Sequence, residues 1–73
     1  MENIDLKEFL EIFGTDTRIL ILDLKDNEIA YGNAFEIRNN LISRFPYFDV
    51  CDYVVCKAKI NDFVLNITVD KKY

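Results

Sequence analysis

Apolar residues near the start of the chain recur at the spacing of one helix face: Leu6, Phe9, Leu10 and Phe13. They occupy positions i, i+3, i+4 and i+7 of a buried stripe. Asp5 precedes the stripe, and Glu8 lies three residues after Asp5. This spacing is the pattern of a capping box at the start of a helix. Gly14 is of the residue type that commonly ends a helix. The pattern predicts a helix over residues 5–13.

A second helix is predicted over residues 34–45, after another capping pattern. Asn33 is the expected cap, and Glu36 is the acid that reaches back to its amide. The apolar residues that follow recur one helical turn apart: Ile37, Leu41 and Phe45. We expect this helix to end before Pro46, which disfavours a helical conformation in the residue preceding it.

The segment between the two helices predicts a β-hairpin. Residues 18–25 are rich in branched apolar side chains and too short for a free-standing helix. Asp26 and Asn27 both tolerate the positive φ angles of a two-residue turn. Pairing outward from this turn sets Leu20 opposite Asn33. It also gathers one apolar set on the face that we expect to be the core: Leu20, Leu22, Leu24, Ile29 and Tyr31.

The last part of the chain predicts a second hairpin of the same design. Residues 53–60 and 63–70 are the expected strands, and Asn61 with Asp62 is the expected turn. Pairing outward from the turn gives four pairs on the predicted core face: Ile60 with Phe63, Ala58 with Leu65, Cys56 with Ile67, and Val54 with Val69. A shift of one residue would scatter this set, which supports the register.

Together these elements predict an α+β fold of one domain, residues 1–73, in the order α-β-β-α-β-β. The hairpins form a four-stranded antiparallel sheet with both helices on one face. The other face is expected to be open and to carry several apolar side chains: Ile19, Ile21, Val55 and Val64. Such residues are either scattered surface side chains or a patch through which two copies associate.

Composition limits the chemistry of this chain of 73 residues. It contains no histidine, and its cysteines, Cys51 and Cys56, fit neither a redox motif nor half of a usual zinc site. No Ser, Thr or Cys has an imidazole base available. Two pairs of carboxylates are candidates for acid–base or metal chemistry: Asp49 with Asp52, and Asp23 with Glu28. Ordinary solvated acids in a loop or at a strand edge are the better explanation for both pairs. We expect no enzymatic activity, no metal and no cofactor.

Charge and hydropathy bear on location and partners. Hydrophobic residues make up 51% of the chain, yet no apolar run approaches the ~20 residues that span a bilayer. The first residues lack the basic region and apolar stretch of a secretory signal, so we expect a cytoplasmic protein. The net charge of −4 disfavours direct binding of nucleic acid.

The connection before the second hairpin offers a candidate protein-binding surface. It combines aromatic and acidic side chains in the manner of a binding hot spot: Tyr47, Phe48, Asp49, Asp52 and Tyr53. The alternative is a loop that packs its own aromatics inward. Glu8 and Glu11 add an acidic face on the first helix, which suits a protein groove meant for phosphates but is also typical of an ordinary helix surface.

The whole chain resembles the small accessory proteins of phages and mobile elements of low-GC Gram-positive bacteria in length, acidity, helix-hairpin arrangement and abundance of Asn, Ile, Lys and Asp. The resemblance implies a compact inhibitor of host defence, of the kind that includes anti-CRISPR proteins, acting in the host cytoplasm without catalysis. The leading hypothesis is a non-catalytic protein that binds and inhibits a bacterial protein, such as a nucleic-acid-handling defence effector. The alternative is a homodimer or larger assembly built through the open sheet face.

Overall fold

The computed structural model of the chain describes residues 4–72 and contains one five-stranded sheet and two short helices. The strands are β1 (Ile4–Asp5), β2 (Arg18–Leu22), β3 (Glu28–Asn33), β4 (Tyr53–Asn61) and β5 (Val64–Lys71). The helices are α1 (Leu6–Leu10) and α2 (Ala34–Arg38), and a 3-10 turn at Val50–Asp52 leads into β4. The α+β class predicted from the sequence is confirmed.

The strands lie in the order β1-β4-β5-β2-β3, and β2 runs parallel to β5 while the other neighbours are antiparallel. The prediction of a four-stranded antiparallel sheet is therefore wrong, because β1 adds a fifth strand and the two hairpins meet through a parallel pair. The strands with the largest share of buried side chains, β2 and β5, take inner positions. Nearer the edges, Glu28 of β3 and Lys57 and Lys59 of β4 stay exposed to water.

The core joins side chains from both helices to one face of the sheet. Its largest fully buried members are Leu6, Leu10, Ile19, Ile21, Ile37, Val50, Ile67 and Val69. Burying one such side chain is worth about 1.5–3 kcal/mol relative to leaving it in water. These few side chains, half of them from the sheet and half from the helices and the 3-10 turn, therefore contribute a large part of the stability of this small fold.

In the first hairpin, the face that packs in the core is the opposite of the predicted one. Ile19 and Ile21 are fully buried. The residues expected in the core are half-buried or exposed instead: Leu20, Leu22, Leu24, Ile29 and Tyr31. Both faces of β2 are apolar, so the alternation along the strand does not distinguish them.

Small residues on β3 show which face is covered. Ala30 and Gly32 lie opposite Ile21 and Ile19 on the core face. A Cβ added to Gly32 would lie only 3.3 Å from an oxygen of Glu36 in α2. The side chains of Glu36 and Ile42 lie over Gly32 on this side, and the alternation of small residues is the sequence signal that marks the covered face.

This reversal removes the expected open-face patch. Ile19 and Ile21 are fully buried, Val55 is buried and Val64 is half-buried. The expectation that these four side chains form an exposed association surface is wrong, since they belong to the interior of the chain or its margin.

The first hairpin also has a longer turn than expected. Leu20 pairs with Tyr31 rather than with Asn33, a shift of two residues. The Asp23 carboxylate accepts a hydrogen bond from the backbone N–H of Asn27 at 2.9 Å and closes a five-residue turn. A register shift of two residues keeps the same side chains together on one face of the hairpin. The error in register therefore does not explain why the opposite face packs in the core.

The second hairpin turns at Asp62 and Phe63, not at Asn61 and Asp62. Both turn residues have positive φ, 52° and 64°, which is the geometry of a type I′ turn. Ile60 consequently pairs with Leu65 rather than with Phe63. Leu65 and Ile67 are buried as predicted, whereas the predicted core positions of Ala58, Ile60 and Phe63 are wrong, because these three side chains are exposed.

A β-bulge in β4 changes which of its residues face the core. The register between β4 and β5 shifts between Val55 and Lys57, so Cys56 is the additional residue. Because a bulge reverses the alternation of side chains, Val55 is buried, whereas Cys56 is exposed and Val54 is half-buried. The predicted core positions of Cys56 and Val54 are wrong for this reason.

Both helices are shorter than predicted. α1 ends at Leu10 instead of residue 13, and α2 ends at Arg38 instead of residue 45. Asn40 adopts φ 56°, a conformation in which asparagine commonly terminates a helix, so α2 stops well before Pro46. Leu41, expected on the buried stripe, is 56% exposed as a result.

The two predicted caps differ in outcome. The Asn33 side chain accepts from the Glu36 backbone N–H at 2.8 Å, and Glu36 accepts from the Asn33 N–H at 3.2 Å, so this capping box is confirmed. Asp5 makes no cap bond and forms an ion pair with Lys72 instead.

Candidate functional site

The connection between α2 and β4 contains three aromatic residues, Phe45, Tyr47 and Phe48. We refer to residues 40–49 as the aromatic loop. Tyr47 is 98% exposed, whereas the next residue, Phe48, is buried in the core. The Phe48 ring stacks on Tyr53 with centroids 5.4 Å apart and planes 11° apart. One aromatic side chain thus fixes the loop while its neighbour stays in solvent.

Hydrogen bonds hold the two ends of the aromatic loop together. The side-chain amide of Asn40 makes both bonds: its Nδ2 donates to the Asp49 carboxylate at 3.2 Å, and its Oδ1 accepts from the Val50 backbone N–H at 2.9 Å. Asp49 also accepts from the backbone N–H of Cys51 at 3.0 Å. The side chains of Asn40 and Asp49 therefore close the base of the loop, from which Tyr47 projects.

Asp49 is held in its charged form. The hydrogen bonds from the Cys51 backbone N–H and the Asn40 amide lower the pKa of this carboxyl below its usual value, and the Lys7 ammonium lowers it further. Contacts between α1 and the 3-10 turn place the first helix beside the end of the loop.

Tyr47 stands between two surface grooves. One groove, of about 420 Å³, is bordered by Asn40, Asp49 and Asp52. The other, of about 320 Å³, is bordered by Arg44 and Tyr53. Both grooves share four residues of the loop: Phe45, Pro46, Tyr47 and Phe48. The arrangement presents an apolar ridge with carboxylates on one side and a guanidinium on the other.

The predicted partner-binding residues take different roles in this arrangement. Tyr47, Asp49 and Asp52 border the grooves, and Tyr53 is half-buried at their margin. Phe48 lies inward and anchors the loop, which matches the alternative of inward packing for that one ring. Glu8 and Glu11 are exposed on and just after α1, the helix that contacts the 3-10 turn.

Sequence reasoning missed Asn40 and Arg44. Asn40 follows Asn39 inside what looked like a continuous helix, and the Asn-Asn pair is the available signal that the helix stops there. Arg44 falls near the end of the helix predicted over residues 34–45, where a positive charge is explained by a favourable interaction with the helix dipole. With α2 ending at Arg38, Arg44 lies in the loop instead and its guanidinium lies 5.9 Å from the centre of the Phe45 ring.

Other candidate chemistry lies apart from the aromatic loop. Asp23 uses its carboxylate to accept from the N–H groups of Lys25 and Asn27 within its own turn. Cys51 and Cys56 are exposed free thiols. Within residues 4–72, no group of three or more Cys, Asp or Glu side chains could hold a metal ion, and no helix is long and apolar enough to cross a membrane.

Comparison with known proteins adds no relative. No protein-family model, curated protein or solved structure matches this chain.

Proposed function

We propose that this chain is a non-catalytic protein that binds a bacterial protein through Tyr47 and the two grooves beside it, and that it inhibits this partner by covering one of the partner's functional surfaces. The observation that carries the proposal is the contrast between Tyr47, 98% exposed, and the anchored loop beneath it. Exposing a large aromatic side chain in water is unfavourable, and rigid aromatic side chains of this type dominate the energetics of protein interfaces.

Charge identifies the kind of partner surface. Asp49 and Asp52 border the groove beside Tyr47, and the hydrogen bonds to Asp49 keep it ionised. Glu8 and Glu11 add exposed carboxylates on the neighbouring helix, and the whole chain carries −4. A basic protein surface complements this combination, and the nucleic-acid grooves of defence effectors are basic. The resemblance to phage accessory proteins supports the same class of target.

The test begins with capture from the lysate of a low-GC Gram-positive bacterium and continues with the purified partner. We expect Tyr47→Ala to weaken the affinity about 10- to 100-fold, because a central aromatic anchor is lost. The matched control is Phe35→Ala, which removes an exposed ring of α2 outside both grooves and should leave the affinity unchanged.

Charge and inhibition supply two further readouts. Glu8→Lys with Glu11→Lys should weaken binding most at low salt, and a short DNA duplex should compete for the partner. Wild-type affinity in Tyr47→Ala, or a bound partner whose activity is unaffected, would show that the proposal is wrong.

A further inference from the structure

The outer edge of β4 offers a second surface with features of its own. Among residues 4–72, β1 pairs with β4 only at Val54 and Val55, and no described strand lies beside residues 57–61 on that side. A strand edge of this kind presents backbone N–H and C=O groups that can pair with another extended chain. The bulge at Cys56 separates the part of β4 that pairs with β1 from residues 57–61, beside which the described residues place no strand on that side.

Side chains along this edge alternate between charge and apolar surface. Lys57 and Lys59 lie opposite Thr68 and Asn66, and both lysines are exposed. Their ammonium groups form no ion pair with any residue in the described part of the chain. A groove of about 300 Å³ runs beside them, with Asp26 at one border. Two cations therefore stand on one face of the edge in a chain whose net charge is −4.

The other face of the same edge is apolar. Ala58 and Ile60 lie opposite Ile67 and Leu65, which are buried, yet Ala58 is exposed and Ile60 is 76% exposed. Ala58 and Ile60 therefore lie at the exposed margin of the core face. At the end of the hairpin, Phe63 is 98% exposed and adds further apolar surface.

We propose that residues 57–61 of β4 bind an extended acidic segment of a partner protein as an added β-strand. Carboxylates on alternate residues of that segment face Lys57 and Lys59, and the apolar residues between them contact Ala58 and Ile60. Backbone hydrogen bonds supply affinity, and the alternation supplies specificity.

A second copy of the chain fits this edge less well. In an antiparallel pair of two β4 edges centred on Ala58 or Lys59, a lysine of one copy lies directly opposite a lysine of the other. Like charges in such cross-strand positions are destabilising. Acidic residues at the same positions give favourable pairs instead, so charge complementarity favours a foreign acidic strand.

The experiment uses the full chain and three capped hexapeptides: alternating glutamate and valine, alternating lysine and valine, and the first composition with its glutamates and valines in separate blocks. We expect the alternating glutamate peptide to slow hydrogen exchange of the outward-pointing amides of residues 57–61 by about tenfold at millimolar concentration. The other two peptides should leave these amides unchanged.

A charge swap provides the matched control. Lys57→Glu with Lys59→Glu should transfer the effect from the glutamate peptide to the lysine peptide, and the far-ultraviolet spectrum should report an unchanged fold. Tyr47→Ala should retain the peptide effect, so this proposal and the proposed function fail separately.

Three results would overturn the proposal. The first is slow exchange of these amides in the free monomer, which would mean that the edge is already occupied. The second is an equal response to the glutamate and lysine peptides. The third is a dimer in light scattering whose edge amides are protected, which would identify a second copy as the occupant.

Discussion

Phe63 occupies a backbone conformation that suits glycine or asparagine, with φ 64° in the turn between β4 and β5. A Cβ in the left-handed region costs about 1–2 kcal/mol. Burial of the Phe63 side chain offsets little of this cost, because 98% of its surface is exposed. The geometry of the turn imposes this strain, and the exposed ring would be available to a partner strand at the end of the proposed β4 edge.

Phe63→Gly should raise the stability of the isolated chain. The change creates Asp-Gly, the preferred sequence of a type I′ turn, and relieves the strain at the cost of greater freedom in the unfolded chain. We expect a net gain of about 0.5–1 kcal/mol, or roughly 2–8 °C in the thermal midpoint of a domain of this size. Phe63→Ala retains a Cβ and should give no such gain, so equal midpoints for the two variants would contradict this explanation.

At the scale of elements, α2 shows how much a short helix depends on its ends. It spans only five residues, Ala34–Arg38, which is far below the length at which helices are stable alone. The capping box of Asn33 and Glu36 satisfies two backbone N–H groups at its start, and Asn40 turns the chain away after its end. Packing of Ala34 and Ile37 in the core supplies the remaining stabilisation.

Asn33→Ala should lower the free energy of unfolding by about 1 kcal/mol, because the Glu36 backbone N–H loses its acceptor. Chemical denaturation measures this difference from the shift of the midpoint at constant slope. Asn61→Ala is the matched control, since that side chain is exposed and makes no hydrogen bond in the described part of the chain. An equal effect of the two substitutions would argue against the cap as the cause.

At the scale of the whole molecule, stability depends on which face of β2 is covered. A chain of this length is expected to be stable by about 4–11 kcal/mol, so the loss of one central side chain removes a large part of the total. Ile21 lies at the centre of the sheet, between Ala30 of β3 and Ile67 of β5. Leu20, the next residue along the strand, is half-buried on the opposite face.

Ile21→Ala should cost about 2–5 kcal/mol, through lost burial and the cavity that remains. Leu20→Ala should cost clearly less, because its side chain is already partly in water. Urea denaturation of both variants compares the two faces directly, and a larger loss for Leu20→Ala would mean that the other face is the core.

Local interactions explain what could be predicted and what could not. The Asn33–Glu36 cap, the start of α2 and the existence of both hairpins depend on residues close together in sequence. The turn of the second hairpin was displaced by one residue because the strained position of Phe63 carries no propensity signal. The bulge at Cys56 likewise has no local signature, although it decides that Val55 faces inward.

The candidate site was predicted in part. Tyr47, Asp49 and Asp52 were selected for their residue types, and they border the grooves of the aromatic loop. That Phe48 anchors the loop and that Asn40 closes it depend on contacts across the loop and on the early end of α2. Composition alone could not separate the exposed ring from the buried one, since both are aromatic neighbours.

The sequence by itself determined the α+β class, the order of the helices and hairpins, and the capping of α2, because these follow from interactions within a few residues. Only the tertiary structure decided the parallel pairing of β2 with β5, the addition of β1, and the choice of Ile19 and Ile21 over Leu20 and Leu22 for the core. Both faces of β2 are apolar. The covered face is therefore fixed by distant partners, namely the small residues of β3 and the apolar residues of β5.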